Sequence, residues 1–402
     1  MKDRARTNNP SGASLRRHLG SLLFLVLIFF LNFTARIILA PFLPTIEREL
    51  NISHGQAGSF FFLISAGYVI GLVASGFCAA RATHKRIIVF SSAGIGLALF
   101  AVSSANGLWA IRAGLSAVGL AAGLYMPSAI ATITTLIERP HWGKAIAVHE
   151  LAPNVALFLG PLAAELFLRW STWRLALAAL GAACITASLA YYRFGRGGQF
   201  RGESPGSEAF GALMRTPAFW LMPILFALGV SSTIGVYAML PLYLVSERGI
   251  DQSWANTVVA LSRSYGPILG LLGGFVSDRF GPKQTIIASL AFTGLVTVLL
   301  GVVSNHWVGS MVFFQPLLAV WFFPAAFAAL AAITGPAARN LAVAFAIPVG
   351  YMIGGGAIPT FIGIMGDAGS FARGFIVTGV LITSGAALSL GLKLPDQRMR
   401  RD

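Results

Sequence analysis

The sequence predicts an all-α membrane protein of twelve transmembrane helices in two similar six-helix bundles, and three observations predict it. Of its 402 residues 56% are hydrophobic and only 11% charged, with 30 phenylalanines. Its mean hydropathy is +0.76, and a soluble globule needs more polar surface than that. Apolar stretches of about 20 residues, each long enough as a helix to cross a hydrocarbon core of about 30 Å, recur along the whole length. The third observation is an internal echo 200 residues apart: Pro41, Glu47, Arg48 and Ser53 in APFLPTIERELNIS are answered by Pro241, Glu247, Arg248 and Ser253 in LPLYLVSERGIDQS. Repetition at half length points to two similar membrane halves joined head to tail.

The first helix is expected over 18–43, after a basic tail at 1–17. It is too long for a cleaved signal peptide, carries Asn32 and Arg36, and lacks a small-residue cleavage site before polar sequence. Helices 2 and 3 follow at 55–79 and 86–105, the second holding Tyr68. Helix 4, at 108–137, opens on Leu108 and Arg112 and contains Tyr125; helix 5, at 144–168, has His149 and Glu150 near its start; helix 6 spans 172–193. A polar run at 194–215 joins the halves and is too short for a folded domain. The second bundle, 216–393, is expected at 216–245, 253–277, 284–304, 307–335, 340–365 and 370–393, before a tail at 394–402. Arg263 and Tyr265 lie in helix 8, and helix 11 has a glycine run, Gly354 to Gly356, between Pro348 and Pro359. That run makes the helix bendable, close packing being the simpler account.

The formal charge of +15 invites a nucleic-acid reading, but its placement follows the positive-inside rule instead. Basic residues gather in the N-terminal tail (Lys2, Arg4, Arg6, Arg16, Arg17), at Arg81, Lys85 and Arg86, at Arg139 and Lys144, and at Arg193, Arg196, Arg201 and Arg215. They continue at Arg279, Lys283, Arg339 and from Lys393 to Arg401, all on one side if twelve helices alternate. The other side keeps Arg48, Arg169, Arg174, Arg248 and Arg373. Both termini are therefore expected in the cytoplasm, of a bacterial inner membrane, with the lipid bilayer as partner and no nucleic acid. Cys78 and Cys184 fall on different apolar segments and suggest neither a disulfide nor a metal site.

GFCAARATHKR, Gly76 to Arg86, and GFVSDRFGPK, Gly274 to Lys283, resemble the G-x-L-a-D-R-x-G-R-K loop signature of the major facilitator superfamily. The second copy keeps Gly274, Asp278, Arg279, Gly281 and Lys283; the first has Ala80 for the acid and Thr83 for the second glycine. Leu108 and Arg112 resemble the family's second signature, with Ser116 for its glycine, and Gly160-Pro161 its antiporter signature, with Ala156, Ala164 and Glu165 for flanking glycines. The resemblance implies a secondary transporter working by alternating access around a site enclosed by helices 1, 4, 7, 8, 10 and 11. It also implies that Asp278 and Arg279 latch the outward-facing state, and that Arg112 is structural or couples to protons.

A charge at the bilayer centre costs about 2.5–3.5 kcal/mol, so each one asks for a reason. The basic ones are Arg36, Arg112 and Arg263, and the clear acid is Glu150 beside His149. Arg36 stands eight residues before Pro44, a spacing similar to the substrate-contacting first-helix arginine of organophosphate antiporters and anion/cation symporters. Arg263 is similar in helix and depth to the carboxylate ligand of monocarboxylate and oxalate carriers. One arginine from each half is the arrangement that clamps an anion, since a guanidinium pairs with a carboxylate through two donors. Tyr68, Tyr125 and Tyr265 are candidate cavity donors by depth, as are Tyr237, Trp321 and Tyr351, packing being the alternative for each. His149 and Glu150 are candidates to carry a coupled proton, or to pair with the basic loop at Arg139 and Lys144.

Enzyme chemistry finds no footing. His149-Glu150 opens like H-E-x-x-H, but Pro153 takes the second histidine's place, and no G-x-x-x-x-G-K-[ST] loop occurs. No metal and no cofactor are expected. The expected cargo is a small carboxylate-like anion carried by a monomer, with H+ as candidate coupling ion; the competing cargo is a drug or amphipathic metabolite for export.

Overall fold

The structure of the protein, a computed structural model, describes residues 11–202, 217–334, 343 and 345–394. The far N-terminal tail with Lys2, Arg4 and Arg6, the linker from 203 with Arg215, Arg339, and the tail from 395 lie outside the described residues. Twelve helices long and apolar enough to cross a membrane follow one another: α1 (His18–Leu50), α2 (His54–Arg81), α3 (His84–Ser104), α4 (Leu108–Leu136), α5 (Arg139–Trp170), α6 (Trp173–Phe194), α7 (Phe219–Ser246), α8 (Gln252–Phe280), α9 (Pro282–Val302), α10 (Asn305–Ile333), α11 (Phe345–Asp367) and α12 (Phe371–Leu390). All twelve expected spans are there. Several run further than the hydropathy does, α1 to Leu50 and α5 back to Arg139, because the backbone ladder does not stop where side chains turn polar.

Seven of the helices are interrupted midway, α1 at Ile38 and α4 at Leu124 among them, and in α5, α8 and α10 a proline is the cause. Pro153 has no N–H for the carbonyl of His149, and α5 divides at Glu150 between Trp142–His149 and Leu151–Trp170. Pro267 does the same to the carbonyl of Arg263, which takes the Gly266 N–H instead at 3.0 Å, so α8 breaks between Gln252–Leu261 and Gly266–Phe280. α10 breaks after Asn305–Phe314, where Gln315 precedes Pro316. α7 and α11 widen into π-helix over Ser231–Gly235 and Tyr351–Ala357, a geometry frequent at functional sites. His149, Arg263, Gln315, Ser232 and Tyr351 all sit at these breaks.

Within lipid, helices associate by close packing, and small residues permit it. A Cβ on Gly119 of α4 would lie 2.0 Å from the Ile64 carbonyl oxygen, and one on Gly71 of α2 would lie 2.1 Å from that of Leu120. These two helices therefore pack backbone to backbone. The pairs α3 with α6 and α9 with α12 repeat one solution in the two halves, through Gly96 against Gly181 and Gly294 against Gly379.

The bundles meet on the face opposite the chain ends. There α2 packs on α11, α1 on α7 and α5 on α8, with Gly58 so close to α11 that a Cβ would stand 2.6 Å from the Pro359 carbonyl oxygen. Asp367, at the end of α11, accepts from Ser53 Oγ at 2.8 Å and from the N–H groups of His54 at 2.8 Å and Gly55 at 2.9 Å. A carboxylate of one bundle thus caps the first turn of a helix in the other. Gln252 adds a second tie, donating to the Pro41 carbonyl at 3.0 Å while accepting from Thr45 and Arg48. The echo residues have parted: Arg48 reaches across to Gln252, whereas Arg248 stays in its own bundle, donating to Tyr243 Oη at 2.6 Å and the Leu300 carbonyl at 3.0 Å. On the other face α4 and α10 share no packed interface among the described residues.

The linker's first part is ordered against the degraded loop. Lys85 Nζ donates to the Gly195 carbonyl at 2.8 Å, Lys85 N–H to Gly198 at 2.8 Å, His84 N–H to Phe200 at 3.1 Å and Gly202 N–H to Ala79 at 2.8 Å. Thr83 and Arg201 form an isolated antiparallel bridge.

Candidate functional site

Arg36 of α1 is 6% exposed and stands in a cage of three rings. Its guanidinium carbon lies 4.2 Å from the Tyr68 centroid and 4.9 Å from those of Phe33 and Tyr351. The rings come from α1, α2 and α11, so both bundles contribute. Each such contact is worth about 0.5–2 kcal/mol, so three together match an insertion cost of about 2.5–3.5 kcal/mol with no acid present. The space left among Arg36, Ser65, Tyr68, Ile234 and Tyr351 is about 20 Å³, room for about one water molecule. Arg36 Nε is buried without a hydrogen-bond partner.

Arg263 of α8 is 3% exposed and more sparsely held. Its Nη2 donates to Gln315 Oε1 at 3.3 Å, and Gln315 Nε2 donates to the Ser232 carbonyl at 2.6 Å. One ring, Tyr237, lies beneath it at 5.4 Å. Nε and Nη1 of Arg263 and the Tyr237 hydroxyl are buried without partners. An unmet buried donor costs about 1–3 kcal/mol, and more when charged. This group therefore has the strongest unmet demand for an acceptor, and a carboxylate's two oxygens supply one. α7 serves both arginines, giving Ile234 to the first group and Ser232 and Tyr237 to the second.

His149 of α5 is fully buried, stacked on Phe29 with centroids 4.4 Å apart and planes 5° from parallel. Its Nε2 lies 3.0 Å from Tyr125 Oη and its Nδ1 3.4 Å from Glu150 Oε1. Tyr125 donates to the Leu25 carbonyl at 2.7 Å. The structure thus puts Tyr125 with the histidine rather than in the cage around Arg36. α1 joins the two groups, since Phe29 meets Phe33 edge-on at 6.4 Å and Phe33 underlies Arg36.

The remaining sequence candidates lie elsewhere. Tyr265 donates to the Phe313 carbonyl, pinning the break in α8 to α10. Arg112 lies near the sealed face, its guanidinium 5.0 Å from the Trp109 ring. Asp278 and Arg279 are exposed, and Asp278 has no bonded partner among the described residues. A polar vestibule of about 380 Å³ on the sealed face is lined by Arg48, Glu49, Glu165 and Arg169, but its charges satisfy one another: Arg169 with Glu165 at 3.0 Å, and Glu49 with Arg174 at 3.2 Å. Sequence reasoning missed Gln315, Ser232 and Asp367. A lone amide before proline in FFQPLL was a readable signal for Gln315; Asp367 carries none.

Comparison with known proteins agrees with this architecture. A family model described as the Major Facilitator Superfamily matches residues 25–268. A chloramphenicol resistance protein of Streptomyces lividans is 25% identical over 268 residues, 63% of this chain and 65% of its own length. The chain thus spans just under two thirds of that relative. A Cupriavidus necator protein named "Probable sulfoacetate transporter SauU" is 23% identical over 396 residues, 90% of this chain and 91% of its own. Among solved structures, a bacterial homolog of the human lysosomal transporter Spinster, inward-facing and unoccupied, superposes with a TM-score of 0.81 over 93% of this chain and 96% of that one, at 18% identity. That likeness speaks for the fold.

Proposed function

The chain belongs to the major facilitator superfamily of transporters, and from that premise we propose that it carries a small organic anion across a bacterial inner membrane by alternating access, as a monomer driven by an ion gradient. The observation that carries the reading is Arg263, a buried guanidinium with two unpartnered nitrogens beside the unpartnered hydroxyl of Tyr237. Arg36, from the other bundle, is the second cationic contact. With the basic loops in the cytoplasm, the face sealed by Asp367 and Gln252 is the outer one, so this state opens inward. In it the loop acid Asp278 is exposed and has no bonded partner among the described residues, as a latch for the outward-facing state is when that state is not populated. The similarity to a protein named for sulfoacetate, a small dianion, supports the same cargo class.

A second reading, export of a drug or amphipathic metabolite, is favoured by the aromatic cage at Arg36 and by the similarity to a chloramphenicol resistance protein. Flux in proteoliposomes separates the two. Sulfoacetate, aliphatic and aromatic monocarboxylates, and chloramphenicol are offered as labelled substrates to wild type and to Arg263→Gln. The anion reading expects saturable carboxylate or sulfonate flux that the variant loses. Saturable chloramphenicol flux with no anion flux, or normal anion affinity in Arg263→Gln, overturns it.

A further inference from the structure

We infer that His149 and Glu150 together form a proton-binding site that exchanges its proton through Glu150, an inference that rests on the transport reading and names where its coupling ion sits. It follows from counting hydrogens. Tyr125 has one hydroxyl hydrogen, and the Leu25 carbonyl 2.7 Å away accepts only. His149 Nε2, 3.0 Å from the same hydroxyl oxygen, must then carry a hydrogen and donate it. That fixes the neutral ring as the Nε2–H tautomer and leaves a lone pair on Nδ1.

Nδ1 faces Glu150 Oε1 at 3.4 Å. A neutral ring opposite an ionised carboxylate sets lone pair against lone pair. The contact is favourable only with one proton between them, as imidazolium against carboxylate or as imidazole accepting from a carboxylic acid. The two residues therefore bind that proton as a unit. The ring is sealed by Phe29 and fully buried, while the Glu150 side chain is 43% exposed, so exchange with water runs through the carboxyl group. Glu150 stands at the break that Pro153 makes in α5.

The charged and titratable groups around this pair are cationic or phenolic. α4 presents Tyr125, α2 Tyr68, α6 Tyr191 packed edge-on to Phe24, and α1 Arg36 beyond Phe33; α8, packed on α5 where Gly266 meets Asn154, carries Arg263, and α5 itself adds His141 and Lys144. None of these is an acid. Phe29 touches His149, Phe33 touches Phe29, and Arg36 lies on Phe33, so the proton's presence is felt in the packing of the helix that carries the first substrate cation.

Nitrogen-15 histidine NMR of the purified full-length protein, with His149→Gln assigning the resonance, reads the tautomer without any substrate. The inference expects a protonated Nε2 at every pH and an Nδ1 that titrates; Glu150→Gln, whose amide donates to Nδ1, keeps the fold and removes the titration. A neutral Nδ1–H tautomer with bare Nε2, or an unchanged titration in Glu150→Gln, overturns it. Proteoliposomes loaded with pyranine then report proton movement with sulfoacetate or benzoate flux. Internal pH should follow substrate in wild type and in Lys144→Gln, but not in Glu150→Gln. Substrate flux without a pH change overturns proton coupling, whereas absence of flux for both anions counts against the anion reading and leaves the NMR result to decide the site.

Discussion

Asp367→Asn tests the seal between the bundles at one atom. The carboxylate accepts three hydrogen bonds from the start of α2, at 2.8, 2.8 and 2.9 Å. The amide keeps one oxygen, turns a donor toward the N–H of either His54 or Gly55, and removes the charge that complements the helix N-terminus. A hydrogen bond to a charged group contributes about 1.5–3 kcal/mol when well shielded, and a charge at a helix end about 0.3–1 kcal/mol. Asp367 is exposed, so the lower end applies, about 2 kcal/mol in all, or a factor of about 30 in an equilibrium. A seal closed in about 99% of molecules would then be closed in about three quarters. Nitroxide labels at Trp170→Cys and Trp307→Cys, both exposed, with Cys78→Ser, report the distance across this face by pulsed electron resonance. The variant should gain a second, longer population that wild type lacks. Asp251→Asn, which removes a charge capping α8 within its own bundle, should leave the distribution alone. A distribution for Asp367→Asn that superposes on wild type would refute the reasoning.

Three further outcomes are expected. Asp278→Asn should slow transport more than any substitution at Ala80, because the linker strand from Gly195 to Gly202 already occupies the first loop; equal rates for Asp278→Asn and Ala80→Asp in proteoliposomes would count against this. Tyr68→Leu removes the nearest ring from Arg36, a loss of about 0.5–2 kcal/mol, and should lower the apparent melting temperature more than Tyr68→Phe, which keeps the ring and loses only the hydroxyl's bond to Arg36. Lys85→Met deletes the bond to the Gly195 carbonyl, worth about 0.5–1.5 kcal/mol, and should speed proteolysis after Arg196 and Arg201; an unchanged digestion rate would mean the backbone bonds alone hold the strand.

The helices were legible because the bilayer imposes a length and an apolarity that the chain cannot disguise. The echo was legible too, since Pro41 and Pro241 end up in the paired segments of α1 and α7. Arg36, Arg263 and His149 were readable as intramembrane charges that need a reason. Which candidate ring or other side chain each would meet was not, because Tyr351 meets Arg36 from the opposite bundle, and Gln315 meets Arg263 only through a break in α10. Tyr125 shows the limit of arguing from depth, because the side it faces depends on which carbonyl of α1 takes its hydrogen. Asp367 was unreadable because capping another bundle's helix leaves no mark in the local sequence.

The π-turn of α7 makes that helix unusually open to the loss of a residue. Elsewhere in a transmembrane helix a deletion turns everything beyond it by about 100° and misaligns the packing. Over Ser231–Gly235 the backbone already holds one residue more than an α-turn needs, so removing one would restore ordinary hydrogen bonding while moving the Ser232 carbonyl off Gln315 and resetting how Tyr237 faces Arg263. Single-residue deletions across 228–238 therefore form a phase scan of the group around Arg263, in which the fold should survive best where the helix is wide, and selectivity should change with it if that group is the proposed cargo site.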